Sequence, residues 1–225
     1  MPTTREIRAP SGAPKTGELP MTPDRAYRWL MEAGSSARDA FDRHIIASIL
    51  AVAIAQSEGE GKSLARTSGL DPKILAKLAG ELFPSAAPAL AEMARGAPPA
   101  PEPEEASVVD ILLIYANGGL EFVRPLAILI ARRCQEPHHL WQDLGLRNRT
   151  ELSQLMTRHF PRLKERNSGD MKWKKFLYRM VCGAEGFTLC PAPVCSDCDD
   201  FASCFDTEEG VAQISHAFRE ERLNR

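Results

Sequence analysis

The chain has 225 residues, of which 44% are hydrophobic and 26% charged, enough for one sizeable globular domain or two small ones. A formal charge of −2 excludes the large cationic excess that nucleic-acid phosphates demand. The longest apolar run, residues 45–55, is too short to span a bilayer, and the polar N-terminus lacks the apolar stretch of an export signal. The expectation is therefore a soluble, cytoplasmic protein that binds neither membrane nor nucleic acid.

Residues 1–21 are rich in proline and poor in apolar side chains, too few to offset the entropy of ordering, and read as a disordered tail. An N-terminal helical region is expected over 22–95. It opens with Thr22 as cap and Pro23 at the first helical position. The stretch from Arg38 to Gln56 is apolar nearly all round, the pattern of a central buried helix. Asp71 and Pro72 repeat the cap-plus-proline signature, and a weaker segment follows Pro84 and Pro88.

Residues 96–106, with four prolines, read as an extended linker and mark the expected domain boundary. A C-terminal helical region over 107–225 is expected beyond it. Two apolar segments, 108–115 and 122–131, flank the turn signal Asn117-Gly118-Gly119 and read as helices rather than strands, because no alternating partner run follows. A short helix is expected over 150–159. Next, Trp173, Phe176, Leu177, Met180, Val181 and Ala184 form one apolar stripe at helical spacing, with Asp170 expected to cap the helix and Cys182 on its polar side. A last helix is expected over about 208–223. The fold class expected is all-α, a helical bundle with a C-terminal cysteine-rich loop.

Five of the six cysteines fall between Cys182 and Cys204, leaving only Cys134 apart, so they do not look like a framework of disulfides. From Cys190 the spacing is C-x4-C-x2-C-x5-C through Cys195, Cys198 and Cys204. Thiolates are the soft ligands that zinc, copper(I) and iron–sulfur clusters prefer, and Pro191 and Pro193 keep the segment out of helix. Structural zinc usually takes two separated pairs, whereas C-x4-C-x2-C opens a plant-type ferredoxin loop. The spacing favours an iron–sulfur cluster and leaves zinc open. Cys182 is an accessory candidate ligand, and Cys134 reads as core.

Charge is segregated around this loop. Residues 158–179 hold eight Lys or Arg against two acids, while 190–210 hold six acids and no Lys or Arg. A thiolate-ligated cluster is a net anion, so the basic helix can stabilise it, attract a small anion or dock an acidic partner, or simply be solvated.

Three further segments, Ile130–Cys134, His138–Leu146 and Met171–Arg179, together with Glu185-Gly186-Phe187 leading into Cys190–Cys198 and Cys204-Phe205, resemble the NifQ family of nitrogen fixation proteins. The resemblance covers about 22–206 and is strongest after Asp110. It implies a protein that holds an iron–sulfur cluster of the 3Fe–4S or 4Fe–4S type, incorporates molybdenum, and donates it for iron–molybdenum cofactor biosynthesis. The implied partners are molybdate, the nitrogenase iron protein and a cofactor-assembly scaffold complex. Cys190, Cys195, Cys198 and Cys204 match the family's motif cysteines. A three-iron cuboid leaves one corner for molybdenum, which takes an outside ligand, and His139 is a candidate for it, weighed against a helix-capping role. His138 and His159 rank below it.

Two other classes compete. A zinc-stapled interaction module would use the same thiols without chemistry. A DNA-repair glycosylase has a similar C-x2-C-x5-C ending, but needs a basic phosphate-binding surface, and this loop is acidic. No nucleophile elbow, phosphate loop or paired-carboxylate motif is present, so a metal and cluster carrier is expected rather than an enzyme.

Overall fold

The computed structural model describes residues 21–34, 39–184, 211–215 and 217–218. Its central element is α2 (Ala40–Glu60), in which every residue from His44 to Ile54 is buried, as an all-round apolar helix requires. Asp39 caps it, accepting from the backbone N–H groups of Phe41 and Asp42. Gly61 ends it in the left-handed region (φ 61°), where Lys62 N–H reaches back to Ser57 O at 2.9 Å. Its buried Ser48 hydroxyl donates to His44 O at 2.9 Å, so this polar group is not stranded in the core.

Helix α1 (Pro23–Glu32) packs along α2, capped by Thr22 with proline at its first position, as expected. A short α3 (Leu64–Ser68) follows, then α4 (Pro72–Leu82), capped by Asp71, and α5 (Ala87–Met93). Helices α6 (Pro103–Ile114) and α7 (Leu120–Cys134) form an antiparallel pair about the Asn117-Gly118-Gly119 turn. Then come α8 (Leu140–Asp143), α9 (Arg149–His159), α10 (Pro161–Arg166) and α11 (Trp173–Ala184). Among the described residues there is no strand, and the protein is all-α.

Two details differ from the sequence reading. Helix α6 starts at Pro103, inside the run read as extended, because proline suits the first helical position and Glu104 and Glu105 complement the positive end of the helix dipole. Asp170 does not cap α11: the first helical bond runs from Phe176 N–H to Lys172 O at 2.9 Å. Asp170 instead sits at φ 54° and pairs with Lys164 and Arg149. The packing also continues across the stretch 96–106, since α7 touches α3 and α4, and one cluster of buried apolar side chains holds residues from both sides.

Charged side chains are built into this framework. Arg133, 2% exposed, donates to Thr67 O at 2.7 Å and to Gln56 Oε1 at 2.8 Å, tying α7 to α3 and α2. Its neighbour Arg132 stands 3.0 Å from the buried Glu105 of α6. Burial pushes the Glu105 carboxyl above its usual range, and Arg132 opposes that shift. Among the described residues, no helix is long and apolar enough to cross a membrane.

Of the expected tail 1–21, residues 1–20 lie outside the described residues and Met21 is partly buried against the core; the cysteine-rich loop and most of the expected terminal helix 208–223 also lie outside them, and within the last, Ser215, Ala217 and Phe218 are helical.

Candidate functional site

The stripe anticipated on α11 is buried where it is described: Trp173, Phe176, Leu177 and Val181 face the core, and Met180 is partly buried against it. This fixes the helix from which the chain runs on toward the cysteines. Its other face meets the segment between α7 and α8. The Tyr178 hydroxyl donates to Cys134 O at 3.3 Å and accepts from Gln135 Nε2 at 3.1 Å. Burial pushes the Tyr178 phenol up to about 12, so it stays a neutral donor.

One turn earlier, the Lys174 ammonium turns away from solvent. It donates to Glu136 O, to His138 O at 2.6 Å and to Asp143 Oδ2. Three acceptors satisfy its three N–H groups, which is how a largely buried ammonium is accommodated. Asp143, on α8, is 1% exposed. Its other oxygen, Oδ1, lies 3.1 Å from His138 Nδ1. Removing either charge would leave the other buried and unpaired, a loss of about 3–5 kcal/mol. Lys174 therefore fixes the His138-His139 loop from α11, while Asp143 fixes the His138 ring.

His139 takes the capping role. It is half-buried, stands at the N-cap of α8 in extended backbone, and its N–H donates to Gln142 Oε1 at 3.4 Å. His44 and His159 are buried with partners: His44 lies 2.7 Å from Tyr27 Oη and 2.9 Å from Glu151 Oε1, and His159 Nε2 lies 2.9 Å from Asp42 Oδ1. Cys134 is core, 4% exposed, and burial raises its thiol to about 12. Cys182 lies on α11 with its side chain outside the described residues, as are Cys190, Cys195, Cys198 and Cys204 altogether. Among the described residues, no three His, Cys, Asp or Glu side chains are grouped as a metal would need.

Where the chain returns, residues 211–218 are fastened to the same body. Gln142 Nε2 donates to Val211 O at 3.2 Å, and Ala217 N–H donates to Asp24 Oδ1 at 2.7 Å. Phe218 covers a buried polar cluster. Its ring packs edge-on against Tyr27 and His44, with centroids 5.3 and 5.7 Å away, and the Arg147 guanidinium lies 4.5 Å over it. Beneath it the Tyr27 hydroxyl donates to His44 Nδ1, His44 Nε2–H donates to Glu151 Oε1, and Arg147 holds both Glu151 oxygens. Burial alone would raise the Glu151 carboxyl, but His44 and Arg147 outweigh it and hold it below its ordinary value.

The segment His138–Leu146 stood out in the sequence as a motif, but the roles within it did not. Lys174 read as one of the cations of the basic helix, with no individual role. A carboxylate five residues after a histidine is too common a pattern to announce their pairing, and Lys174 enters only through the tertiary packing.

The arrangement defines an all-helical body with a cysteine-rich segment inserted between two anchored ends, α11 and residues 211–218. The NifQ family profile matches residues 45–206. The NifQ homolog of Sinorhizobium fredii is 36% identical over 170 residues, 76% of this chain and 74% of that protein. NifQ of Rhodobacter capsulatus is 41% identical over 48% of this chain and 61% of its own length, and NifQ of Azotobacter vinelandii 41% over 37% and 43%. No solved structure matches. The chain belongs to the NifQ family.

Proposed function

We propose that this chain serves nitrogen fixation as a carrier: it holds a molybdenum-containing iron–sulfur cluster on Cys190, Cys195, Cys198 and Cys204 and donates it for iron–molybdenum cofactor biosynthesis. The observation that carries this reading is the C-x4-C-x2-C-x5-C run placed between two ends anchored to a folded body. Four thiols close together in sequence suit iron and sulfide. The cluster is cargo, so the chain's task is to hold it and release it without itself being consumed, and no catalytic residue is assigned.

The donor set fits the cargo in number and softness. The acidic surroundings of the thiols have a counterpart in the basic face of α11, where Lys175 is exposed and Lys172 half-buried. Those cations supply attraction for molybdate, or a docking surface for the scaffold complex and the nitrogenase iron protein, the partners that family membership suggests. Lys174 is excluded from that role because its ammonium is taken up by Asp143 and two carbonyls.

The test is the iron, molybdenum, zinc and acid-labile sulfide content of protein purified without oxygen from cells supplied with molybdate. Iron and sulfide with molybdenum are expected. Cys195→Ser and Cys198→Ser should each lose the cluster while keeping the helical circular dichroism, because the sequence around them, with Pro191 and Pro193, does not read as helix. Zinc without sulfide would reduce the segment to a structural staple, and full iron and sulfide in either variant would remove that cysteine from the ligand set.

A further inference from the structure

The cations of α10 and α11 fall into two groups. Lys164 pairs with Asp170, which also holds Arg149 of α9, and Lys174 is taken up by Asp143 and two carbonyls. Arg162, Arg166, Lys172 and Lys175 have no acidic partner among the described residues. The first group serves the fold. The second repels itself, and nothing in the packing requires it.

These four stand together. Arg162 and Arg166 are one turn apart on α10 and so share a face. Both reach the end of α6: Arg162 Nη2 donates to Ile114 O at 3.1 Å, and the Arg166 guanidinium lies 5.5 Å over the Tyr115 ring. The loop from α10 to α11 is closed on itself by two bonds, Asn167 Nδ2 to Met171 O and Met171 N–H to Asn167 Oδ1, both 2.9 Å. Arg166 and Lys172 flank the base of that closed loop, and Lys175 follows Lys172 by three residues, in the first turn of α11. Two exposed acids, Glu165 and Asp110, lie near in the chain and leave the cations in excess. On a chain whose net charge is −2, this is a patch of the opposite sign.

The Ile114 side chain, 66% exposed, ends α6 beside the two arginines. A single exposed isoleucine is ordinary by itself. Next to Tyr115 and four unpaired cations it supplies the apolar point of contact by which a charged surface holds a protein as well as attracting it.

We propose that the face formed by the end of α6, by α10 and by the first turn of α11 docks an acidic helix of a partner protein. Charge complementarity and spacing define this occupant. Arg162 and Arg166 are already held, one by a carbonyl and the other by a ring, so little side-chain freedom is lost when their remaining N–H groups take up carboxylates. Carboxylates one turn apart on a helix match that spacing, and an apolar residue between them meets Ile114. Four cations on a chain of net negative charge are few for a phosphate backbone. A membrane surface asks for several inserted apolar side chains, whereas Ile114 is the one large apolar group of this face, among the described residues, that is more than half exposed. Docking here needs no cluster, so it stands or falls apart from the carrier reading.

The experiment titrates the full chain into a fluorescein-labelled helical peptide of Ala, Leu and Glu, with Glu residues one turn apart flanking a Leu, and follows fluorescence anisotropy. Saturable binding at low salt is expected, weakened about fivefold or more at about 0.3 M NaCl. Arg166→Glu and Lys175→Glu should each weaken it by about five- to tenfold, and Ile114→Ser by about fivefold, with the circular dichroism of the parent chain. Arg66→Glu makes the same charge change on α3, which is bonded to the far end of α7 through Thr67 and Arg133, and should bind like the parent. The peptide with Gln in place of Glu should not bind.

No binding of the acidic peptide at low salt, equal binding of the Gln peptide, or unchanged affinity in both Arg166→Glu and Lys175→Glu would overturn the assignment. So would a labelled DNA duplex or phosphatidylserine vesicles that bound more tightly than the peptide and lost binding in the same variants. None of these outcomes depends on the iron, sulfide or molybdenum content of the chain.

Discussion

At the scale of single residues, Cys134 stands apart from the other five cysteines along the chain. Cys134 is enclosed by α7 and the base of α11, and burial holds its thiol at about 12, so at neutral pH it carries essentially no thiolate, the reactive form. Brief treatment of the metal-free native protein with iodoacetamide at pH 7.5, followed by peptide mass spectrometry, should leave Cys134 unmodified while it becomes labelled in denaturant. Labelling at the rate of an exposed cysteine in native protein would contradict its core placement. The sequence already separated Cys134 from the others by spacing. It ranked His139 above His138 without access to their surroundings: adjacent and alike in type, they differ in that His139 begins a helix and His138 leans on an aspartate whose partner, Lys174, is more than thirty residues away.

At the scale of elements, the strongest sequence signals were those that depend on neighbours in the chain. Thr22-Pro23, Asp71-Pro72 and Asn117-Gly118-Gly119 each act within one turn, and all three stand where local chemistry placed them. Asp170 is the counterexample: a good capping residue, drawn off by two cations, Lys164 and Arg149, that only the fold brings near. The shortest helices, α3, α8 and α10, escape periodicity because they span too few residues to show a face.

Among these, α8 is held by its ending. Gly145 lies at φ 69°, with its N–H on Gln142 O at 2.8 Å and Leu146 N–H on Trp141 O at 2.9 Å, a left-handed helix cap. A Cβ at this position would stand 2.7 Å from Ser48 O of α2 and 3.0 Å from Ile214 Cδ1. Both the backbone and the space thus demand glycine. Gly145→Ala is expected to destabilise the protein by about 2–3 kcal/mol, lowering the melting midpoint by about 4–12 °C. Thermal unfolding followed by circular dichroism measures it, and a midpoint unchanged within 1–2 °C, about the resolution of such a small shift, would mean the contact is not maintained.

At the scale of the whole molecule, α2 and α9 are joined through His44 and Glu151, and the C-terminal segment closes over them through Phe218. Glu151 has its folded value held below the unfolded 4.5, so its contribution to stability is fully present above about pH 4.5 and is lost as pH falls through the lower folded value. Urea unfolding at pH 7, 5, 4 and 3 should show that decline in the parent chain. Glu151→Gln should be weaker at pH 7 by about 3 kcal/mol and decline less in acid, because the group that titrates has been removed. A variant whose stability fell with pH as steeply as the parent's would exclude Glu151 as a source of acid sensitivity. The all-helical character of the molecule was legible from periodicity, and its family from short motifs. The joining of its parts was not, because it depends on pairs such as His44 with Glu151 and Asp24 with Ala217, which share no pattern along the chain.

If the chain delivers a cluster as proposed, the bonds from Gln142 to Val211 and from Ala217 to Asp24 also bear on turnover. A run of thiols on a free tail would have to gather itself around each incoming cluster and would scatter after each delivery. Between α11 and residues 211–218, which are fastened to a body that owes its stability to Leu, Ile and Trp packing, a run of this length has fewer conformations to lose than a free tail, so gathering ligands would cost less entropy. On the proposed carrier reading, unloading would leave the helices folded, and the emptied chain would be a reusable vessel, ready for another round without refolding.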